Sequence, residues 1–346
     1  MNNPDIALSR AAAEAPKKKR VATLVDEVPY VLAAIVLLFG LVFAFSGSSF
    51  YLNILATTFL FAGLAAAWNI IGGLGGQFSL GHSVFFAIGA YTTANLVLGY
   101  AISPWLAVVP AMILSAAFAA LVSWPVFRLR GPFFAIATMA LTEVMLALAM
   151  YFDGITGGAR GLSMPFKLGL ENMIFRDRMS YAFLMLGFLA VTIVILAAIK
   201  HSRLGYSLQA VRDNEDTAEA AGIDVLRTKL IGMAVSAALM AAGGCLYLMY
   251  VRVVDPPSLF SLFDIGVKVA LIALIGGIGT IYGPLLGALL IIPLENYLRA
   301  ELGGMVPGSN LIVLGIILIL TALYLRKGIM GAITALRDRL ARGGAR

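Results

Sequence analysis

The sequence predicts an all-α, polytopic membrane protein of about ten transmembrane helices. Three observations carry that prediction. First, 61% of the 346 residues are apolar and 12% charged, against roughly 45–50% and 25% in soluble chains. Second, apolar runs of nearly helical-span length recur from end to end, long enough to cross a hydrocarbon core of about 30 Å, and the alternating strands of a barrel are absent. Third, Lys and Arg gather at the edges of these runs, where they set orientation. The net charge of +7 therefore reads as a topology signal, and no nucleic-acid partner is expected.

In chain order, residues 1–27 form a polar, cytoplasmic tail containing Lys17, Lys18, Lys19 and Arg20. No apolar core and small-residue cleavage site follow Met1 closely, so the first apolar run is expected to stay as a helix. The transmembrane domain, 28–325, holds predicted spans at 28–45, 51–71, 79–98, 104–127, 133–152, 181–199, 229–251, 265–279, 282–298 and 309–325. The stretch 265–298 reads as one tilted helix or as two short ones parted at Gly276, Gly277 and Gly279. Charge favours two, or a re-entrant hairpin. The cytoplasmic tail 326–346, with Arg326, Lys327, Arg337, Arg339, Arg342 and Arg346, then stays on the side of the N-terminus. Of the 25 Lys and Arg, only Arg160, Lys167, Arg176, Arg178, Arg252, Lys268 and Arg299 fall outside. Both termini are expected in the cytoplasm.

The longest hydrophilic stretches, an outer loop at 153–180 and an inner one at 200–229, fall below the roughly 50 residues of an independent domain. No soluble catalytic module is expected, and no enzyme activity. Cys245 has no partner for a disulfide. With only His82 and His201 available, no metal site is expected.

The inner loop is the richest polar segment. Arg212, Asp213 and Asn214 lead into a short helix that Asp213 or Asn214 can cap; Glu215, Asp216 and Glu219 follow in its early turns, and Gly222 is a natural stop. Ala218, Ala221 and Ile223 offer a small apolar surface, suited to a groove on a cytoplasmic partner or to a plain solvated connector. Elsewhere, Ile71-Gly72-Gly73-Leu74-Gly75 is echoed by Ile275-Gly276-Gly277-Ile278-Gly279. Such paired breaks point to a transport path or to close helix packing.

These pieces resemble a known family. Glu219-Ala220-Ala221-Gly222 resembles the loop by which ABC-importer permeases contact their ATPase. The run from Gly72 through Gly-Gln-Phe-Ser-Leu-Gly-His to Tyr91 is similar to the signature of the LivM family of branched-chain amino-acid permeases. So are Arg128-Leu-Arg-Gly-Pro-Phe-Phe-Ala-Ile-Ala-Thr138 with Glu143, Thr156-Gly-Gly-Ala-Arg-Gly161, and Lys268 through Gly287. Pro132 departs from the family pattern, where a polar or acidic residue is expected. The resemblance implies a type II ABC-importer permease fold in a bacterial inner membrane and four further subunits: a related permease forming a heterodimer, two ATP-binding subunits and a periplasmic binding protein. It implies import of branched-chain or other hydrophobic amino acids, with urea, short amides and aromatic acids as alternatives on the same scaffold. The chain has no G-x-x-x-x-G-K-[ST] motif, so ATP and Mg are expected in the partner ATPase and no cofactor here.

The candidate coupling residues are thus Arg212, Asp213, Glu215, Glu219, Ala220, Ala221 and Gly222. The candidate path residues are Gly73, Ser79, His82, Tyr91, Asn95, Thr138, Glu143, Gly276, Gly277 and Gly279. Ser79, Ser83, Tyr91 and Asn95 give the third span a partly polar face that lines a water-filled path or pairs with another helix. Glu143 is the one central carboxylate; buried, it contacts a substrate ammonium, binds another helix or sits protonated. An ion-coupled carrier would use such a group as well. Glu295 and Lys268 fall near helix ends, where long side chains can reach the interface, and are expected to serve in anchoring or subunit contact. The outer loop, glycine-rich and mixed in charge, reads as a seat for the binding protein or as a flexible connector.

Overall fold

The first nine predicted runs each fold as a helix, as they must where no water is present to satisfy backbone groups. The computed structural model describes residues 24–129, 131–302, 312, 315–316 and 328–343. The helices are α1 (Leu24–Ala44), α2 (Ser49–Asn69), α3 (His82–Tyr100), α4 (Pro104–Val126), α5 (Pro132–Tyr151), α6 (Arg178–Lys200), α7 (Arg203–Asp213), α8 (Glu215–Ala220), α9 (Val225–Val251), α10 (Lys268–Gly277), α11 (Gly283–Leu302) and α12 (Gly328–Gly343). The tenth predicted span, 309–325, lies outside the described residues but for Ile312, Gly315 and Ile316. Among the described residues, seven helical stretches are long and apolar enough to cross a membrane, and α1 adds a shorter apolar piece, Pro29–Ala44.

Helix α2 is apolar on every side, and such a helix belongs at the centre of a bundle. It packs on α6, α9, α10 and α11, and from Leu60 onward its side chains are buried. Its α-helical winding ends at Asn69 and gives way to a wide turn over Ile70–Leu74. Lipid offers helices no hydrophobic reason to associate, so close approach through small residues has to supply the contact. Helix α4 meets that need with Ala107, Ala111, Ser115, Ala119 and Ser123, buried four apart, and Ser115 Oγ donates to the Ala237 carbonyl of α9 at 3.0 Å. Where α3 crosses α9, a Cβ on Gly89 or Gly244 would collide with the Ala241 or Phe86 carbonyl. Cys245, the single cysteine, is fully buried beside this crossing, with its Sγ 4.0 Å from the Pro104 carbonyl.

The stretch 265–298 is two helices. Gly276 lies against the Gly283 carbonyl, Gly287 against that of Ile272, and Lys268 Nζ is 3.0 Å from Glu295 Oε1. Those pairings run in opposite directions along the chain, so α10 and α11 form an antiparallel hairpin. A wide turn, Leu262–Val267, leads into α10 and extends the apolar stretch to Pro256–Gly277. Lys268 and Glu295 pair with each other: Glu295 is 5% exposed and is held by Lys268 at 3.0 Å and by Arg299 at 2.8 Å. The pairing matters because a buried carboxylate without a cation is costly.

The connections sort to two ends. One gathers 70–80, the inner loop and the α10–α11 turn, together with the start of α12, where Gly328 would place a Cβ 2.6 Å from Gly277 Cα. Within the tail 326–346, Gly328–Gly343 is helical. The other end gathers the outer loop, built rather than slack. Strand β1 (Leu162–Ser163) pairs antiparallel with β2 (Val253–Val254). Gly157, at φ +73°, leaves no room for a Cβ beside the Gly161 carbonyl, and Trp105 Nε1 donates to the Leu170 carbonyl at 2.7 Å.

Candidate functional site

The inner loop folds as two helices joined at Asn214, not as one. Ser202 caps α7 through the Gly205 N–H at 3.3 Å, and α7 buries Gly205, Leu208 and Val211. Asn214 then turns extended, which stops α7, and its Oδ1 accepts the Thr217 N–H at 2.8 Å, which starts α8. Gly222, at φ +84°, ends α8; its N–H donates to the Glu219 carbonyl at 2.9 Å and that of Ile223 to the Ala218 carbonyl at 3.0 Å, the usual glycine stop. Asp224 caps α9 through the Arg227 N–H at 2.9 Å. Glu219, Ala220, Ala221 and Gly222 are left exposed at a corner. Ala218, expected in the apolar surface, is instead buried beneath it, because it lies on the inward side of a six-residue helix.

Charge anchors that corner. Lys229 of α9 is buried, with Nζ 2.5 Å from Glu215 Oε1 and 5.7 Å from the centre of the Phe127 ring. Gln77 Nε2 adds a bond to the same carboxylate oxygen at 3.4 Å. A cleft of about 510 Å³ opens beside it, between Phe127, Arg128, Glu219, Asp224 and Lys229. Arg212 turns the other way: Asp213 Oδ1 accepts from its Nε and Nη2 at 3.2 and 3.1 Å, while Nη1 donates to the Gly73 carbonyl at 3.2 Å. The two glycine blocks that echo each other in sequence meet at this point. Asn69 bridges them, accepting the Gly279 N–H and donating to the Thr280 carbonyl, both at 2.8 Å. Asn69 is a site residue that the sequence reading does not include; its signal is an amide deep in an apolar run, three residues ahead of the Gly72-Gly73 pair.

The remaining path residues fall into separate places. His82 is fully buried, with Nδ1 3.0 Å from Ser79 Oγ and Nε2 3.0 Å from Ser236 Oγ; Ser236 donates on to the Ala67 carbonyl at 2.7 Å. Both ring nitrogens are occupied, so His82 ties α2, α3 and α9 together. Replacing it with leucine strands hydroxyls inside the bundle and is expected to cost about 1–3 kcal/mol; thermal unfolding in detergent checks this, and an unshifted midpoint would remove the tie. Thr138 Oγ1 accepts the Leu80 N–H at 3.1 Å and fastens α5 to the segment before α3. Among the described residues no group of three or more His, Cys, Asp or Glu is arranged to hold a metal.

Tyr91 and Asn95 line a cavity of about 450 Å³ between α3, α4 and α5, walled by Ile88, Leu114, Met145, Leu148 and Phe260 with no charged residue. Asn95 Nδ2 donates to the Tyr91 and Ile155 carbonyls at 2.8 and 2.9 Å, closing the cavity toward the outer loop. Glu143 is not with them and is not buried. It is exposed on α5 among Phe133, Ile136 and Val144. It precedes Met145 by two residues, hence points about 200° away round the helix.

Three comparisons bear on this arrangement. Residues 50–322 match the family described as branched-chain amino acid transport system / permease component. The chain is 29% identical over 270 residues to the high-affinity branched-chain amino acid transport system permease protein LivM of Salmonella typhimurium, covering 71% of this chain and 63% of that protein, and the same figures hold for LivM of Escherichia coli. It is 25% identical over 299 residues to the LivH permease protein of Salmonella typhimurium, covering 78% of this chain and 91% of that one. The match thus spans 63% of the length of the LivM proteins. No solved structure matches.

Proposed function

The chain belongs to the branched-chain amino acid transport permease family, and on that premise we propose that it is the membrane-spanning permease subunit of an ATP-driven importer in a bacterial inner membrane. The observation that carries this reading is the exposed corner Glu219–Gly222, braced through Glu215 and Arg212 against helix α9 and the glycine turn of α2. A small protruding element fixed to the bundle by charge is what a partner must grip to move the bundle. The partners are two ATP-binding subunits at that corner, a related permease beside it, and a periplasmic binding protein at the outer loop, with both termini of this chain on the cytoplasmic side. ATP and Mg belong to the ATP-binding subunits, and this chain performs no bond chemistry.

Substrate specificity follows from charge placement. The cavity beside Tyr91 has mostly apolar walls that suit an aliphatic side chain, and no charged group to pair with a zwitterion. Glu143 places an anion on the opposite face of α5, away from that cavity. An ionised side chain at the centre of a membrane helix costs about 2.5–3.5 kcal/mol against lipid, so that face meets the related permease or a watery path between the two. A branched-chain or other hydrophobic amino acid fits the apolar cavity, with Glu143 on a separate face out of its reach; urea, short amides and aromatic acids are the alternatives, separated by uptake assays.

The test is affinity purification in mild detergent with identification of what accompanies the chain. ATP-hydrolysing subunits and a second permease are the expected companions. Glu219→Ala or Ala220→Arg, both at exposed positions, is expected to lower the amount of co-purified ATPase about tenfold, an affinity change of about 1.4 kcal/mol, while the permease stays folded. Unchanged co-purification would remove the coupling assignment. Solute movement by this chain alone in vesicles under a sodium or proton gradient would replace the importer with an ion-coupled carrier.

A further inference from the structure

We infer that Asn69 and Arg212 form a single latch that locks the two glycine turns to the partner-gripped loop and transmits its movement to the substrate path; this rests on the permease reading above. Three segments distant in sequence converge there: 69–73, 212–213 and 279–280. The wide turn after α2 leaves the Gly73 carbonyl facing Arg212 Nη1 at 3.2 Å. The Asn69 amide passes over Gly73, where any Cβ would collide with its Oδ1 and lie 2.7 Å from Gly279 N. Beyond Gly73 it grips both the N–H of Gly279 and the carbonyl of Thr280. A Cβ on Gly279 would in turn lie 3.1 Å from Arg212 Nη1, so the guanidinium rests on both turns at once.

The chemistry of the latch explains how it transmits movement. Asn69 is fully buried and uses both ends of its amide on the backbone of the other turn. Arg212 is half open, and Asp213 fixes its fork on the loop side. A displacement of α7 therefore pulls on Gly73, and through Asn69 on the head of the α10–α11 hairpin. Thr280, which bonds the Gly277 carbonyl at 2.6 Å and receives the Gly283 N–H at 3.0 Å, stiffens that head so that the pull moves it as a body. Asn69 and Arg212 are positioning residues; neither is required to touch substrate.

The experiment uses the complex purified with its ATPase subunits and reconstituted in vesicles, with uptake and ATP hydrolysis measured on the same sample. Asn69→Ala, Arg212→Ala and the double variant are compared, with Arg212→Lys as the conservative exchange. Uptake per ATP hydrolysed is expected to fall about tenfold in each single variant and no further in the double variant, because groups acting as one unit are not additive. Arg212→Lys, which keeps one donor for the Gly73 carbonyl, is expected to recover part of the loss. Falls that multiply in the double variant would overturn the latch, as would uptake and hydrolysis falling in parallel or a ratio that stays constant. Absence of ATPase subunits from the wild-type complex would instead overturn the permease reading itself.

Discussion

Glu215→Ala is expected to destabilise the protein by about 3 kcal/mol or more. The reason lies in Lys229, whose side chain is 2% exposed and whose ammonium sits 2.5 Å from the Glu215 carboxylate. Removing one member of a buried ion pair leaves the other charged and unsolvated, a change that typically costs about 3–5 kcal/mol. Glu215 is itself 26% exposed, so water relieves part of the loss and the lower end applies. Phe127, beneath the ammonium at 5.7 Å, is no substitute for an anion. The double variant Glu215→Gln with Lys229→Met removes both charges and is expected to restore most of the stability, since a buried pair can be replaced by well-packed apolar groups at little cost. Thermal unfolding of the purified chain in detergent distinguishes the two; equal losses in single and double variants would mean that the pair contributes nothing beyond packing.

Gly276→Leu is expected to be at least as damaging, by a different route. A Cβ at that position would run into the Gly283 carbonyl and lie 2.9 Å from Gly287 N. These are backbone atoms of the facing helix and have no rotamer to change. Overpacking that side chains can absorb costs about 1–3 kcal/mol; here the hairpin has to open, which would also displace the Lys268–Glu295 pair at its far end. Gly99→Ala is the matched control. No atom lies within 4 Å of a Cβ at position 99, and inside a helix alanine is favoured over glycine by about 0.8–1.0 kcal/mol. Survival of Gly276→Leu with an unshifted midpoint would show that α10 and α11 do not touch in the membrane.

These two sites mark the boundary of what could be read from the chain. The spans were legible because the length of an apolar run and the bilayer thickness are tied by helix rise. The hairpin was legible in outline, since the basic residues after 325 resist an odd number of crossings. Facing was not legible. Helix α5 is apolar nearly all round and its phase is marked only by Thr138 and Thr142, four apart and buried, so the central position of Glu143 does not reveal that it stands on the open face. Likewise Ala218 looked like surface until the Asn214 cap fixed the rotation of α8. The Asn69 bridge joins residues 210 positions apart; the echo of the two glycine blocks hinted at their kinship, but their meeting depends on how α2 packs against α10 and α11. Helix α12 has a sequence signal, Ile329, Ile333, Leu336 and Leu340 at helical spacing, but its arginines and short apolar stripe mark it equally as a charged tail.

The burial of Cys245 also determines how this chain can be observed. Thiol reagents need an accessible thiolate, and the single native thiol is enclosed between α9 and the start of α4. The unaltered protein is therefore a silent background for labelling. A cysteine introduced at Ala220 would carry the whole fluorescence or spin signal, so the corner could be watched through a transport cycle without first stripping the sequence of its own chemistry.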